Sequence, residues 1–122
     1  AARRKQVQKQ LAQQRLRSEV PKADVVVTNP TELAVALRYD PEEMAAPIVV
    51  AKGAGILAAR IRQLALEHGV PIVENKPLAQ LLFKEVDAGH AVPDQSYAAV
   101  AEVLAYVYQL KGKTIPGAMK RA

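Results

Sequence analysis

The stretch 24-DVVVTNPTELAVALR-38 decides the fold of this chain. Its first part, Asp24 to Thr28, is rich in β-branched residues and predicts a short strand, bounded by Pro21 before it and by Asn29-Pro30 after it. Its last part, Leu33 to Arg38, alternates weakly and predicts a second strand that pairs with the first. The two strands are expected to share one sheet, with Asn29-Pro30 at the connection between them.

Asn29-Pro30 is the one place in the chain where backbone cleavage can occur without a partner molecule. Pro30 has no backbone N–H, so the usual ageing reaction of asparagine, attack of the next amide nitrogen on the side chain, is closed. The Asn29 side-chain nitrogen can still add to its own main-chain carbonyl, close a succinimide and expel the Pro30 nitrogen. Pro30 also keeps Asn29 out of the helical region and in an extended conformation. The pair is therefore a candidate site of self-cleavage.

Self-cleavage of this kind needs a base, an acid and an oxyanion donor. The hydroxyls of Thr28 and Thr31 flank the bond, and Glu32 is the only ionisable side chain within three residues downstream. We take Asn29, Pro30, Thr31 and Glu32 as the candidate catalytic residues. The alternative is an ordinary turn between two strands, which is what most such dipeptides form.

Four segments of the chain resemble the cytoplasmic domain of the flagellar and type III secretion export-switch proteins, a family built around a self-cleaving Asn-Pro-Thr-His sequence. The segments are 21-PKADVVVTNPT-31, 33-LAVALRYD-40, 45-AAPIVVAKG-53 and 70-VPIVEN-75. The resemblance covers about residues 15–112 and is closer to the flagellar branch than to the injectisome branch. One departure matters, because Glu32 stands where the family usually has histidine.

The resemblance implies a component of the export apparatus that is cut once between Asn29 and Pro30 and then changes the class of exported substrate. It also implies that membrane helices precede this region. The expected partners are membrane proteins of the apparatus, exported substrates and a hook or needle length-control protein. An alternative function is an uncleaved docking module, in which Glu32 keeps the connection intact and the domain only binds partners. No cofactor is expected in either case.

The rest of the sequence alternates strands and helices, which predicts an α/β fold: a small central sheet of about four strands surrounded by helices, with an N-terminal linker helix. Asn75 and Pro77 form a helix start, and Gly53-Ala54-Gly55 is expected to serve close backbone packing before a helix. The further predicted strands are Pro47 to Ala51 and Ile72 to Glu74, and the helices are a segment after Gly55 that ends near Gly69, Lys76 to Lys84, and Tyr97 to Leu110.

The basic character of the chain belongs to one end of it. Residues 1–22 hold seven basic side chains and one acidic, a net of +6, whereas residues 23–122 hold ten basic and eleven acidic, a net of −1. We therefore divide the chain into a basic linker helix (1–22), an export-switch domain (23–112) and a flexible tail (113–122). The linker is expected either near an anionic membrane surface or as a solvated helix. Nucleic-acid binding is disfavoured, because no aromatic side chains interleave with the basic ones.

Composition narrows the possible chemistry further. The 122 residues suit one small domain, and only five of them are aromatic, so that the core must be built from Ala, Val, Leu and Ile. The absence of cysteine excludes disulfides and thiol catalysis. One histidine, His90, lies between Asp87 and Asp94, but a single imidazole with two scattered carboxylates does not predict a metal site.

Overall fold

The computed structural model describes residues 2–30 and 32–112 of the chain. Thr31 and the predicted tail 113–122 lie outside the described residues. The elements in chain order are α1 (Ala2–Glu19), β1 (Val25–Asn29), β2 (Leu33–Arg38), β3 (Ile48–Ala54), α2 (Ile56–Glu67), β4 (Ile72–Glu74), α3 (Lys76–Glu85) and α4 (Tyr97–Leu110).

The four strands form one mixed sheet in the order β3-β2-β1-β4. β1 is antiparallel to β2, with Val25 opposite Leu37 and Asn29 opposite Leu33, and β2 is antiparallel to β3. β1 is parallel to β4 on its other side. The predicted α/β fold with a central sheet of about four strands is therefore confirmed.

Helices cover both faces of the sheet, and each face has its own apolar core. Alternate residues of β1 separate the two cores, because Val25 and Val27 point to one face and Val26 to the other. On the first face the sheet packs against α3 and α4, whose buried residues include Leu82 and Leu104. On the second face it packs against α2 and the end of α1. All five residues of β1 are buried as a result.

The helix starts and stops read from the sequence agree with the structure. Asn75 caps α3, since its side-chain Oδ1 accepts a hydrogen bond from the Leu78 backbone N–H at 3.2 Å. Gly69 has a positive φ of 69° just after α2. Gly53 meets the expected need for close backbone packing, because a Cβ built on it would lie 2.6 Å from the Leu57 Cβ. Gly53 and Ala54 belong to β3, however, so that this strand is longer than the predicted 47–51.

The basic N-terminal segment forms α1 and is joined to the domain by packing. Leu16, in the last turns of α1, is 3% exposed, and Val20 just after it is fully buried. Both belong to the core on the α2 face of the sheet. The packed body therefore begins before residue 23, where the sequence-based division placed the start of the domain.

Candidate functional site

Asn29 lies at the end of the central strand β1, where the chain turns into β2. The sequence placed the end of the strand at Thr28, but Asn29 pairs with Leu33 and is itself the last residue of β1. Only 4% of Asn29 is exposed, whereas Pro30 and Glu32 are exposed. Three residues, 30–32, therefore connect two buried strands, and the bond between Asn29 and Pro30 lies where buried backbone meets solvent.

Glu32 contacts Asn29 twice, once through its side chain and once through its backbone. Its carboxylate Oε2 accepts a hydrogen bond from the Asn29 side-chain Nδ2 at 3.1 Å. Its backbone N–H donates to the Asn29 main-chain carbonyl oxygen at 3.0 Å. The atom that would attack and the carbonyl that would be attacked are thus both in contact with one residue.

These two contacts supply two of the three groups that cyclisation requires. A carboxylate at Nδ2 is placed to remove the proton that the amide nitrogen loses as it adds to a carbonyl. A backbone N–H at the carbonyl oxygen is placed to stabilise the negative charge that develops there. The third group, an acid for the departing Pro30 nitrogen, has an exposed site to act on, because Pro30 is at the surface.

Two backbone hydrogen bonds from distant segments fix the connection on either side. Before the Asn29–Pro30 peptide bond, the Thr28 carbonyl accepts a hydrogen bond from the Asn75 N–H at 2.9 Å. After it, the Glu32 carbonyl accepts from the Gly55 N–H at 3.0 Å. Gly55 has φ 59° and ψ −120°, a conformation that is open to glycine and costly for other residues. The turn is therefore clamped between the start of α2 and the start of α3.

Sequence reasoning named four site residues, and the structure brings three of them together: Asn29, Pro30 and Glu32. Thr31 lies outside the described residues. Thr28, considered for its hydroxyl, contributes its backbone carbonyl to the described hydrogen bonds. Asn75 and Gly55 were recognised as a cap and as part of a glycine-rich run, but their backbone contacts with the site have no sequence signal.

The histidines lie away from this turn. The Nδ1 atom of His68 lies 3.0 Å from the Leu64 carbonyl oxygen at the end of α2, and His90 is exposed in the segment before α4. Over residues 2–30 and 32–112, no group of three or more His, Cys, Asp or Glu side chains is placed to hold a metal ion. Within the same part of the chain, none of the helices combines the length and the apolar character needed to cross a bilayer.

Comparison with known proteins gives consistent matches. Residues 1–107 match a family model described as the FlhB HrpN YscU SpaS family. The flagellar biosynthetic protein FlhB of Salmonella typhimurium is 53% identical over 116 residues, which is 95% of this chain and 30% of that protein. The FlhB protein of Bacillus subtilis is 52% identical over 109 residues, or 89% of this chain and 30% of that protein. The chain thus spans about 30% of the length of these relatives.

The fold is also similar to a solved structure from the same group of proteins. The crystal structure of the cytoplasmic domain of FlhB from Shewanella putrefaciens superposes with a TM-score of 0.78 at 42% sequence identity. The match covers 89% of each chain. At this identity the likeness includes the sequence as well as the fold.

Proposed function

The chain belongs to the FlhB, HrpN, YscU and SpaS family, and we propose that it is the cytoplasmic part of a flagellar export-apparatus protein that cuts itself once between Asn29 and Pro30. The cut changes which class of substrate is exported. The observation that carries this proposal is the double contact of Glu32 with the side-chain nitrogen and the carbonyl oxygen of Asn29.

The reaction begins when Asn29 Nδ2 adds to the Asn29 carbonyl carbon. Glu32 takes the proton that Nδ2 loses, and the Glu32 N–H holds the carbonyl oxygen as it becomes negative. The bond to Pro30 then breaks, and its nitrogen leaves as a secondary amine after taking a proton from Glu32 or from water. The products are a cyclic imide at Asn29 and a new N-terminus at Pro30. Glu32 thus fills the position of the usual histidine with a side chain of the same reach.

The lowering of the activation barrier that cleavage requires is within what such a site supplies. Cleavage over days corresponds to a barrier of ~25 kcal/mol and cleavage within minutes to ~21, so that the fold must lower the barrier by ~4 kcal/mol. One oxyanion donor lowers a barrier by ~3 kcal/mol, and a placed base contributes a further factor of ~10² in rate, or nearly 3 kcal/mol. The two contacts made by Glu32 are therefore large enough to lower the barrier by this amount.

Cleavage leaves the two pieces together, because the sheet holds both. β1 ends the first piece and lies between β2 and β4, which belong to the second. Every residue of β1 is buried. The change on cutting is therefore local: the bond between Asn29 and Pro30 is broken, and the freed turn within residues 28–33 re-forms the surface that exported substrates or a length-control protein contact.

Family membership and the charge of the first residues support a proposed location. We place the domain on the cytoplasmic side of the bacterial inner membrane, next to membrane proteins of the apparatus. Residues 1–22 carry a net charge of +6. Each Lys or Arg near an anionic membrane surface contributes ~1 kcal/mol of attraction, which favours an orientation with α1 toward the membrane.

Intact mass measurement under denaturing conditions tests the cleavage. After prolonged incubation at neutral pH we expect two species, residues 1–29 and residues 30–122, that elute together before denaturation. The Asn29→Ala variant is expected to remain one species. A wild-type chain that stays as uncut as this variant contradicts net cleavage and favours the docking module that only binds partners.

A further inference from the structure

We propose that the cut at this site is reversible: the Pro30 amine reopens the imide at Asn29 and restores the peptide bond, so that hydrolysis of the imide, not ring closure, commits the chain. The inference rests on the proposed cleavage at the same bond. It assigns the site a second activity, ligation, and makes the cleaved state depend on a slower step.

The first observation is that the end of the chain at Asn29 is held in the sheet. Asn29 remains the last residue of a strand that pairs on both sides, with Leu33 directly opposite it in β2. Thr28, next to it, is anchored to the Asn75 N–H. The hydrogen bond between the Thr28 carbonyl and the Asn75 N–H uses no atom of the scissile bond and does not depend on it. The imide carbonyl therefore stays at the end of β1.

The second observation is the length of the arm that carries the amine. Only residues 30–32 lie between the broken bond and Leu33. The Glu32 carbonyl also accepts a hydrogen bond from the Gly55 N–H. An arm of three residues reaches ~10 Å at most. An amine confined to a sphere of that radius is present at ~0.4 M, which is the local concentration that favours an intramolecular reaction.

The third observation concerns water, the competitor of the amine. Asn29 is 4% exposed, so that little of it is open to water. Pro30, which follows it, is exposed. An unprotonated amine is also a far stronger nucleophile toward an imide than water. Resealing therefore competes with hydrolysis.

The reverse step balances without a further reactant. The Pro30 nitrogen lone pair adds to the imide carbonyl that was the Asn29 main-chain carbonyl, and the ring bond from that carbon to Nδ2 breaks. Nδ2 receives the proton that the Pro30 nitrogen loses, which restores the carboxamide. Because an α-amino group titrates near pH ~8, protonation should stop resealing at lower pH.

Hydroxylamine tests the proposal, because it attacks the imide and so removes the species that the Pro30 amine would reseal. The native chain is incubated near neutral pH with and without hydroxylamine and analysed by denaturing mass spectrometry. We expect hydroxylamine to raise the cleaved fraction at least ~2-fold, since it removes the species that the tethered amine would reseal. The 1–29 fragment should end in a hydroxamate.

The chain provides its own controls for specificity. It contains no Asn-Gly pair, at which imides form most readily, and its other asparagine is followed by lysine. Fragments ending at Asn75 would indicate non-specific attack. The Asn29→Ala variant should give no fragment with the reagent.

A pH change provides a second readout. Imide-terminated fragment, one water lighter than the acid, is collected at about pH 6 and the sample is raised to about pH 8.5, which frees the amine. We expect part of the full-length chain to return. Simple hydrolysis would convert the fragment to the acid with no regain of full-length chain.

The outcomes separate the two proposals. A chain that looks uncut alone but is cut with hydroxylamine supports both cleavage chemistry and resealing. A chain that is cut to the same extent with and without the reagent, and whose 1–29 fragment is entirely the acid, overturns resealing and leaves the proposed cleavage standing. A chain that yields no fragment under either condition overturns both.

Discussion

The β1–β2 hairpin has a carboxylate at each end, and the two ends differ in what the carboxylate accepts. At the open end, Asp24 Oδ2 accepts the backbone N–H of Tyr39 at 2.7 Å. At the turn, Glu32 Oε2 accepts the side-chain N–H of Asn29 at 3.1 Å. Both bonds are partly buried and both close the same pair of strands.

The difference between the ends lies in the chemistry of the donor. The Tyr39 N–H belongs to a planar peptide group, and its nitrogen cannot close a small ring by adding to a nearby carbonyl carbon. The Asn29 Nδ2 closes a five-membered ring when it adds to its own carbonyl, and that carbonyl already accepts the Glu32 N–H. A carboxylate therefore only stabilises the hairpin at one end, whereas at the other we propose that it also promotes cleavage. Substitutions at four positions test this contrast.

The largest effect is expected from Asn29→Ala, which removes the attacking nitrogen. We expect complete loss of fragments 1–29 and 30–122 in denaturing mass spectrometry, with the far-ultraviolet circular dichroism of the fold retained. Asn75→Asp is the matched control, because Asp caps a helix as well as Asn does and the Asn75 contact with Thr28 is made by backbone. Fragments from the alanine variant, or their loss from the Asn75 variant, would contradict the assignment of Asn29 as nucleophile.

The next effect tests the carboxylate at the turn. Glu32→Gln keeps the backbone N–H on the Asn29 carbonyl and a side-chain acceptor, but glutamine cannot take up a proton. We expect the cleavage rate to fall by a factor of ~10². Glu32→His, which restores a proton carrier, should cleave faster than the glutamine variant. Equal rates for wild type and Glu32→Gln in a time course would show that geometry alone drives the reaction and that Glu32 acts only in positioning.

Both strands of the hairpin were predicted from the sequence, but the two backbone hydrogen bonds that fix its turn were not. The β-branched run before Asn29 and the following Leu33–Arg38 segment predicted both strands, because local pattern and burial agree there. Asn29 itself has low strand propensity, and pairing with Leu33 overrides that propensity. The bonds from Gly55 and Asn75 join backbone groups that are distant in the chain. No side-chain pattern encodes them.

Surface apolar residues mark another limit of the pattern. Ile56 shares helical spacing with the buried Ile61 and Leu64, yet it is 81% exposed. It is the first residue of α2, and the buried residues of that helix begin at Ala58. Spacing predicts which residues share a face and does not show how far the neighbouring layer extends.

The third effect tests the carboxylate at the open end, where we expect a change in stability and none in cleavage. Asp24→Ala leaves the Tyr39 N–H without its acceptor, which should cost ~1 to 3 kcal/mol in the free energy of unfolding. Asp24→Asn keeps an acceptor oxygen and should cost less. Urea titration measures both. A fall in the cleavage rate of either folded variant would show that the two ends of the hairpin are coupled.

The smallest effect concerns Tyr108, whose hydroxyl lies 3.5 Å from the Tyr39 carbonyl oxygen at the open end. Burial raises the pKa of Tyr108, and the negative charges of Asp24, Tyr39 and Asp40 raise it in the same direction. Because the folded state favours the neutral phenol, this contribution to stability is fully present below pH ~10 and is lost as the pH rises through the raised pKa of the folded state.

Tyr108→Phe should therefore change stability little at neutral pH and should remove part of the loss seen between about pH 9 and pH 11. The measurement is the difference in urea midpoint between variant and wild type at each pH, in which the titration of all other groups common to both proteins cancels. Tyr106→Phe is the control, because Tyr106 lies on the same helix and is 52% exposed. If the two variants have the same pH profile, neither burial nor the neighbouring negative charges raise the pKa of Tyr108 enough to affect stability, and the open end of the hairpin is held by its hydrogen bonds alone.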